Sequence, residues 1–196
     1  MRTHRNNDKE LAVRERGFSL IELVVAVAIT GVLATIAIPS LLSAIESNRN
    51  NNLSNQLMED LILARSQAIQ LGTPVALCGS NSAVARTCVT QGANAVADWS
   101  AGWFFYVGNV ATVPAANLVI REPQAAPRGW VVMASLGAMN YVSMDPRSQV
   151  TGNGHFTIYR SGSATAACVA VSPTGRTRAN TASVSPGTVS ANNDPC

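Results

Sequence analysis

The segment Arg16-Gly17-Phe18-Ser19-Leu20-Ile21-Glu22-Leu23 opens the apolar run around which this chain is organised. From Leu23 to Ile45 the sequence holds 23 consecutive residues without a charged side chain. At about 1.5 Å per residue, an α-helix of that length covers roughly 35 Å, which is enough to cross the hydrocarbon core of a bilayer. The run therefore predicts a helix that can anchor the chain in a membrane.

Glu22 is the exception inside the apolar stretch that begins at Phe18. A carboxylate at such a position is costly in lipid and usually has a partner, so Glu22 is a candidate functional residue. The alternative is that Glu22 lies near the lipid headgroups and reaches water at little cost.

The residues around Gly17 carry a family resemblance. A basic, polar leader with Arg14 and Arg16 precedes Gly17, Phe18 follows it, and Glu22 stands at the fifth position after the glycine, ahead of the apolar run. This pattern resembles the type IV prepilin signal, also called a class III leader. The alternatives are a signal anchor or a cleaved secretory signal, but a secretory signal has a shorter apolar region, with no acid inside it and a small-residue cleavage site beyond it.

The resemblance implies a role for each of these residues. Prepilin peptidase would cut after Gly17 and then methylate the new N-terminal residue, Phe18. Glu22 would pair with the N-terminal amine of a neighbouring subunit during filament assembly, and that pairing would offset the cost of burying its carboxylate. Pro39 falls where many pilins have a helix-kinking proline, and a bend or local melting of the helix is expected there.

These features divide the chain into four segments. Residues 1–17 are the leader, 18–45 a transmembrane or filament-core helix, 46–72 the amphipathic half of the same helix, and 73–196 a β-rich C-terminal domain. After Gly17, 179 residues remain, with nine basic and eight acidic side chains and a net charge of +1. This charge is weak evidence for an acidic partner, so any basic patch would have to be local.

Past Ile45 the predicted helix becomes amphipathic. One apolar stripe, meant for a partner sheet, recurs at spacings of three and four residues and consists of Leu53, Leu57, Leu61, Ala64, Ala68 and Leu71. The other faces carry the polar residues Glu59, Asp60, Arg65 and Gln67. Gly72 followed by Pro74 predicts the end of the helix.

From Thr73 the sequence has the texture of β-structure. Short runs rich in Val, Ile, Tyr and Phe predict seven strands, at Pro74–Cys78, Gly102–Val107, Leu118–Arg121, Trp130–Ala134, Tyr141–Met144, His155–Arg160 and Ala167–Ser172. Loops are expected at Gly79–Ala97 and Gly108–Asn117, and the tail Ala179–Asp194 is expected to be irregular and held only by Cys196. The predicted fold class is α+β, with a long N-terminal helix packed on an antiparallel β domain.

The four cysteines predict disulfides in an exported domain. They form no CxxC pair, and the chain has only two histidines, so a zinc site is poorly supported. Three pairings are open. We favour Cys78–Cys88, which closes a short loop, and Cys168–Cys196, which would pin the tail. Free buried thiols are the alternative.

Three segments of the second half extend the family resemblance. Arg65-Ser66-Gln67-Ala68-Ile69 is similar to the "ARSEA" segment of the GspH/FimT group of minor pilins and pseudopilins, with glutamine in place of glutamate. Asp98-Trp99-Ser100-Ala101-Gly102-Trp103 resembles its "W-x-x-G-W" strand entry. Ser172-Pro173-Thr174-Gly175-Arg176-Thr177-Arg178 resembles its closing "S-x-x-G-R-x-R" segment. The long loop that holds Cys78 and Cys88 is less typical of the group.

The sequence predicts no enzyme, no metal site and no cofactor. His155 has no evident nucleophile or carboxylate motif around it, and a lone histidine on a strand is more often structural than catalytic. A G-x-S-x-G elbow, a phosphate loop and a metal-ligand cluster are all absent from the sequence.

Gly175-Arg176-Thr177-Arg178 is the segment with the clearest binding chemistry. The glycine allows a tight turn, and Arg176 and Arg178 would share one face if the segment is extended. Two guanidinium groups there suit phosphate diesters, because arginine binds oxygens in a bidentate fork. The resemblance implies more, since the FimT branch of the group binds DNA for natural transformation through a "G-R-x-R" motif at this place. Arg147 and Arg160 are candidates to extend the patch.

A purely structural role is the alternative for this arginine pair. In that interpretation Arg176 or Arg178 packs on Trp103, or pairs with Asp98 or Asp145, and holds the edge of the sheet.

The resemblance as a whole predicts a minor pilin of a type IV pilus. The chain would sit in the bacterial inner membrane with its C-terminal domain in the periplasm, and then enter the filament. Its partners would be prepilin peptidase, other pilin subunits, the inner membrane and, as a further candidate, DNA. The alternatives are a minor pseudopilin of a type II secretion system and, from a different class, an enzyme tethered to the membrane.

Overall fold

The computed structural model describes residues 17–82, 86–91, 96–108, 118–122, 124–147, 149–163, 165–183 and 196. In chain order its elements are helix α1 (Leu20–Leu71) and the strands β1 (Val75–Gly79), β2 (Val96–Asp98), β3 (Trp103–Val107), β4 (Val119–Arg121), β5 (Trp130–Ser135), β6 (Tyr141–Met144), β7 (Val150–Thr151), β8 (Gly154–Arg160), β9 (Thr165–Val171) and β10 (Thr177–Ser183).

Helix α1 runs without interruption for 52 residues. It begins after Ser19, whose carbonyl oxygen accepts hydrogen bonds from the backbone N–H groups of Glu22 (3.1 Å) and Leu23 (3.2 Å). It ends where predicted, because Gly72 has a φ of +65°, a left-handed conformation that glycine adopts at little cost. Pro39 lies inside the helix, and the local melting expected there does not occur.

The chain forms two compact units, one that ends at Ser43 and one that runs from Ala44 to Cys196. In the first unit Phe18 and the large apolar side chains of α1 from Leu20 to Leu42 are exposed. Within the described part of the chain, α1 is the one helix that is long and apolar enough to cross a membrane, judged by length and composition.

In the second unit, α1 buries the predicted apolar stripe. Leu53, Leu57, Leu61, Ala64 and Ala68 are all buried, whereas Leu71, the last residue of the helix, is 50% exposed. The buried stripe belongs to one core cluster with apolar residues of β1, β3, β5, β6, β8 and β9. The predicted fold class is therefore confirmed: a long N-terminal helix packs on antiparallel sheets.

The described strands form two antiparallel sheets of five strands each, in the orders β4-β3-β1-β6-β7 and β10-β9-β8-β5-β2. Each of the seven predicted strands is present, with ends that differ by at most two residues. Strands β2, β7 and β10 were not predicted. The expected irregular tail is wrong for residues 179–183, because their backbone pairs with the first five residues of β9. Residues 184–195 lie outside the described part of the chain.

The structure contains both of the favoured disulfides, Cys78–Cys88 and Cys168–Cys196. The first closes a loop next to β1, and Val89 donates a backbone hydrogen bond to Gly79 in the same place (2.8 Å). The second ties the last residue of the chain to the middle of β9.

Candidate functional site

The turn between β9 and β10 carries the arginine pair, and we call Ser172–Arg178 the arginine hairpin. Gly175 N donates to Ser172 O (2.9 Å), Ser172 N donates to Arg176 O (3.0 Å), and Arg176 N donates to Ser172 Oγ (3.0 Å). Pro173 at the second position and Gly175 at the fourth, with a φ of +74°, suit a tight turn that closes a hairpin. The sequence Ser-Pro-Thr-Gly therefore builds the turn from local hydrogen bonds.

Arg176 and Arg178 lie on one face of this hairpin. Arg178 pairs with Ala170 across the ladder, and alternate residues of a strand point to the same side. Val169 and Val171, which alternate with Ala170, are buried in the core, so the arginine face is the outer face of the sheet. A surface cavity of about 440 Å³ opens there, lined by Ala170, Val171, Ser172, Thr174, Arg176 and Arg178.

Both guanidinium groups are available to a ligand. Arg176 and Arg178 are exposed, and among the described residues no acidic side chain pairs with either of them. Asp98 and Asp145 accept hydrogen bonds from the backbone N–H groups of Ser100 and Arg147 instead (both 2.8 Å). The ion-pair alternative for the arginine hairpin is therefore wrong.

Strand β7 and helix α1 each donate a hydrogen bond to this turn. Val150 N, at the start of β7, donates to Pro173 O (3.1 Å). Arg65 Nη1, from the last part of α1, donates to Gly175 O (3.5 Å). The motif that begins at Arg65 and the motif that contains Gly175 are far apart in the sequence, and they are in contact in the folded domain.

The two arginines expected to extend the patch have different surroundings. The guanidinium of Arg160 forms an ion pair with Glu46 of α1, so its predicted part in the patch is wrong. Arg147 is exposed in the turn between β6 and β7, three residues before Val150. Arg147 remains a candidate neighbour of the arginine hairpin.

The candidate processing and assembly residues stand at the other end of the chain. Gly17 and Phe18 precede the first helical residue, and the Phe18 side chain is 84% exposed. Glu22 lies in the first turn of α1 and is also exposed. An acidic side chain there complements the positive end of the helix dipole.

Asp60 is the residue for which sequence reasoning was most clearly wrong. The sequence pattern predicts Asp60 on a face of the helix other than the apolar stripe, but Asp60 is only 2% exposed and is buried with that stripe. Its carboxylate accepts a hydrogen bond from Trp103 Nε1 (2.7 Å) and forms an ion pair with Arg121. Burial raises the pKa of Asp60 above its usual value, while the Trp103 hydrogen bond and the charge of Arg121 act in the opposite direction. These contacts join α1 to β3 and β4.

The residues that the structure describes form no candidate metal centre. They contain no group of three or more His, Cys, Asp or Glu side chains that could hold an ion. Four cysteines are present, and all of them are in disulfides. His155 lies on β8, opposite Ser135 and Ala170.

Comparison with protein families gives two matches. Residues 53–175 match the family described as type II transport protein GspH. Residues 13–38 match the prokaryotic N-terminal methylation motif. No curated protein sequence matches the chain significantly.

Comparison with solved structures finds a type IV minor pilin. The crystal structure of Pseudomonas aeruginosa FimU in space group P21 is 16% identical, with a TM-score of 0.51, over 69% of this chain and 90% of that one. A second FimU crystal form, in space group P65, is 15% identical, with a TM-score of 0.46, over 66% of this chain and 91% of that one. At this identity, the first match establishes similarity of fold.

Proposed function

This chain belongs to the family of type II transport protein GspH, and from that premise we propose that it is a minor pilin of a type IV pilus. The single observation that favours a pilus is the arginine hairpin, an exposed cationic site on the outer face of a pilin-like domain, with no acidic partner among the described residues. The N-terminal methylation motif over residues 13–38 supports processing and assembly of the pilin kind.

In this proposal the first unit supplies anchoring and assembly. Helix residues 18–45 hold the precursor in the inner membrane as a single span, with residues 73–196 on the periplasmic side. Prepilin peptidase cuts after Gly17 and methylates Phe18. Glu22 then pairs with the N-terminal amine of a neighbouring subunit, because a carboxylate in an apolar helix bundle needs a cationic partner.

The proposed cleavage and methylation predict the mass of the mature chain. Chain recovered from cells that contain a prepilin peptidase is expected to begin at a methylated Phe18 and to hold 179 residues. Intact-mass and N-terminal peptide spectra measure this outcome. In cells without the peptidase, the same spectra should return the uncut 196-residue chain. Cleavage at another bond, or an unmethylated Phe18, would contradict the proposed roles of Gly17 and Phe18.

A minor pseudopilin of a type II secretion system is the second candidate, and the description of the matched family favours it. The N-terminal segment serves both classes equally, so the distinction lies in the surface of the second unit. Neighbouring genes for pilus assembly would support the first candidate, and neighbouring genes for secretion would support the second.

We further propose that the arginine hairpin binds DNA through phosphate groups. Arg176 and Arg178 present two planar cations on one face, beside the hydroxyl groups of Ser172 and Thr174. Such contacts neutralise phosphates and do not identify bases, so binding is expected to be independent of sequence. One domain binds weakly, and several copies in a filament would add avidity.

The test is a titration of the full-length chain in neutral detergent with labelled duplex DNA at several salt concentrations. Loss of a charge-assisted contact costs about 1.5–3 kcal/mol, so Arg176→Ala/Arg178→Ala is expected to weaken binding by roughly tenfold or more at low salt. The slope of log K against log salt should become shallower by about 0.9 for each lost phosphate contact.

Arg49→Ala/Arg128→Ala is the matched control, because it removes the same charge from two exposed arginines outside the hairpin. Both residues lie by Pro127, at the end of the β5 ladder away from the hairpin. The control is expected to bind almost as tightly as the unaltered chain. Equal loss in both double variants would mean that only net charge matters, and the site proposal would be wrong.

A further inference from the structure

Arg65 of helix α1 contacts the arginine hairpin at its turn. Its side chain is partly buried, and its Nη1 atom lies 3.5 Å from Gly175 O. A Cβ atom built on Gly175 would come within 3.1 Å of Arg65 Nη1 and 3.6 Å of its Cζ. A side chain at position 175 would therefore press on the guanidinium, which would have to shift by a few tenths of an ångström.

This contact acts on the peptide group that leads directly into Arg176. The carbonyl oxygen of that group, Gly175 O, accepts from Arg65, and its N–H donates to Ser172 Oγ (3.0 Å). These two contacts restrain the plane of the peptide group, because a peptide unit is rigid and planar. They thereby restrain the direction in which the Arg176 side chain leaves the backbone.

We infer that Arg65 is the positioning residue of the arginine hairpin. Its guanidinium orients the Gly175–Arg176 peptide so that Arg176 and Arg178 face one anion together, and it does not itself contact the DNA. The inference rests on the proposed DNA binding, and it adds a residue of α1 to a site that the sequence confines to the hairpin. A side chain that positions and one that binds phosphate differ in a measurable way, because only the latter releases a counterion when DNA binds.

The experiment uses the full-length chain in neutral detergent with labelled duplex DNA across a salt series. Arg65→Gln is expected to weaken binding about fivefold at every salt concentration, which is the usual scale for one lost hydrogen bond, and to leave the salt slope unchanged. Arg176→Gln should instead make the slope shallower by about 0.9. Arg49→Gln removes the same charge from an exposed position of the same helix, and it is expected to change neither quantity.

Two results of the titration would overturn the inference. A slope reduced by about 0.9 in Arg65→Gln would make Arg65 a phosphate contact. Unchanged affinity in Arg65→Gln, with Arg176→Gln impaired, would remove Arg65 from the site. Arg65→Lys keeps the charge and a hydrogen-bond donor on a slightly shorter side chain, and it should recover part of the lost affinity if the carbonyl contact is the cause.

Amide hydrogen exchange gives a second readout that needs no DNA. Arg65→Gln is expected to accelerate exchange at the amides of Gly175 and Arg176. Exchange should stay the same at Ser161 and Ser163, which lie in the hairpin between β8 and β9. Unchanged exchange at Gly175 and Arg176 would overturn the inference. If the unaltered chain binds no DNA at low salt, the proposed DNA binding fails, and the exchange data still decide whether Arg65 orders the turn.

Discussion

Gly79→Ala is expected to destabilise the Ala44–Cys196 unit by about 3 kcal/mol, at the upper end of the usual cost of overpacking. A Cβ atom on Gly79 would lie 2.3 Å from Trp99 Cδ1 and 2.5 Å from its Cγ. The Trp99 ring cannot move easily, because it is fully buried and packs against Phe156 in a tilted arrangement, with ring centroids 4.9 Å apart. Interiors at crystal-like density leave no space for such a displacement.

The backbone at Gly79 is equally constrained. Its strand is paired on both sides, and Gly79 O accepts from Val89 N (2.8 Å) next to the Cys78–Cys88 disulfide. The expected loss of stability in Gly79→Ala therefore comes from the clash between the added methyl group and the indole ring of Trp99. Urea unfolding followed by tryptophan fluorescence and circular dichroism measures the change in free energy of unfolding.

A double-mutant cycle with Trp99→Leu tests that cause. If the clash explains the loss, Trp99→Leu will cost less in the Gly79→Ala background than in the unaltered domain, by about 1–2 kcal/mol. Additive effects of the two substitutions would show that the alanine acts in some other way, and the explanation would fail.

Asp60→Ala is expected to lower the free energy of unfolding by roughly 3 kcal/mol. The substitution leaves the buried indole N–H of Trp103 without an acceptor and Arg121 without its ion pair. Arg121 is 36% exposed, so water replaces part of what the guanidinium loses. Asp60→Asn retains an acceptor for Trp103 Nε1 and is expected to cost about half as much. Equal losses in the two variants would mean that the charge, and not the indole contact, dominates.

The same carboxyl group makes the stability of this unit depend on pH. Because burial raises the folded-state pKa of Asp60 above the usual 3.8, the folded chain binds more protons than the unfolded chain between these two values. The free energy of unfolding that Asp60 contributes is therefore fully present below pH 3.8 and is lost as the pH rises through the folded-state pKa.

The difference in stability between the unaltered domain and Asp60→Asn isolates this contribution. It should shrink as the pH rises from about 3.8 and become constant once the carboxyl is ionised in the folded state. Urea unfolding at half-unit steps between pH 3 and 7 measures the difference. A difference that grows with pH would contradict the raised pKa.

Much of the fold can be predicted from local sequence patterns, and particular residues show where such prediction fails. The apolar spacing from Leu53 to Ala68 and the glycine at position 72 predict the second half of α1 closely. Strand β10 was not predicted, because its sequence Thr-Arg-Ala-Asn-Thr-Ala-Ser has no alternation of apolar and polar residues. Its strand conformation depends on backbone pairing with the edge of β9.

The candidate site divides in the same way. Ser-Pro-Thr-Gly followed by Arg-Thr-Arg is enough to predict a turn with two arginines on one face, since turn chemistry and strand alternation act over a few residues. Which arginines remain available is a different matter. Arg160 is paired with Glu46 and Arg65 is turned to Gly175, and no local pattern distinguishes either from Arg176.

The sequence by itself determined the apolar helix, the amphipathic continuation, most of the strands and the residues of the arginine turn. All of these depend on contacts within a few residues, or on how much apolar surface one element must bury. Only the tertiary structure decided that Asp60 is buried, that β10 completes a sheet and that Arg65 supports the turn. Those outcomes depend on partners far away along the chain, and the direction and depth of such contacts exist only once the helix and both sheets have packed.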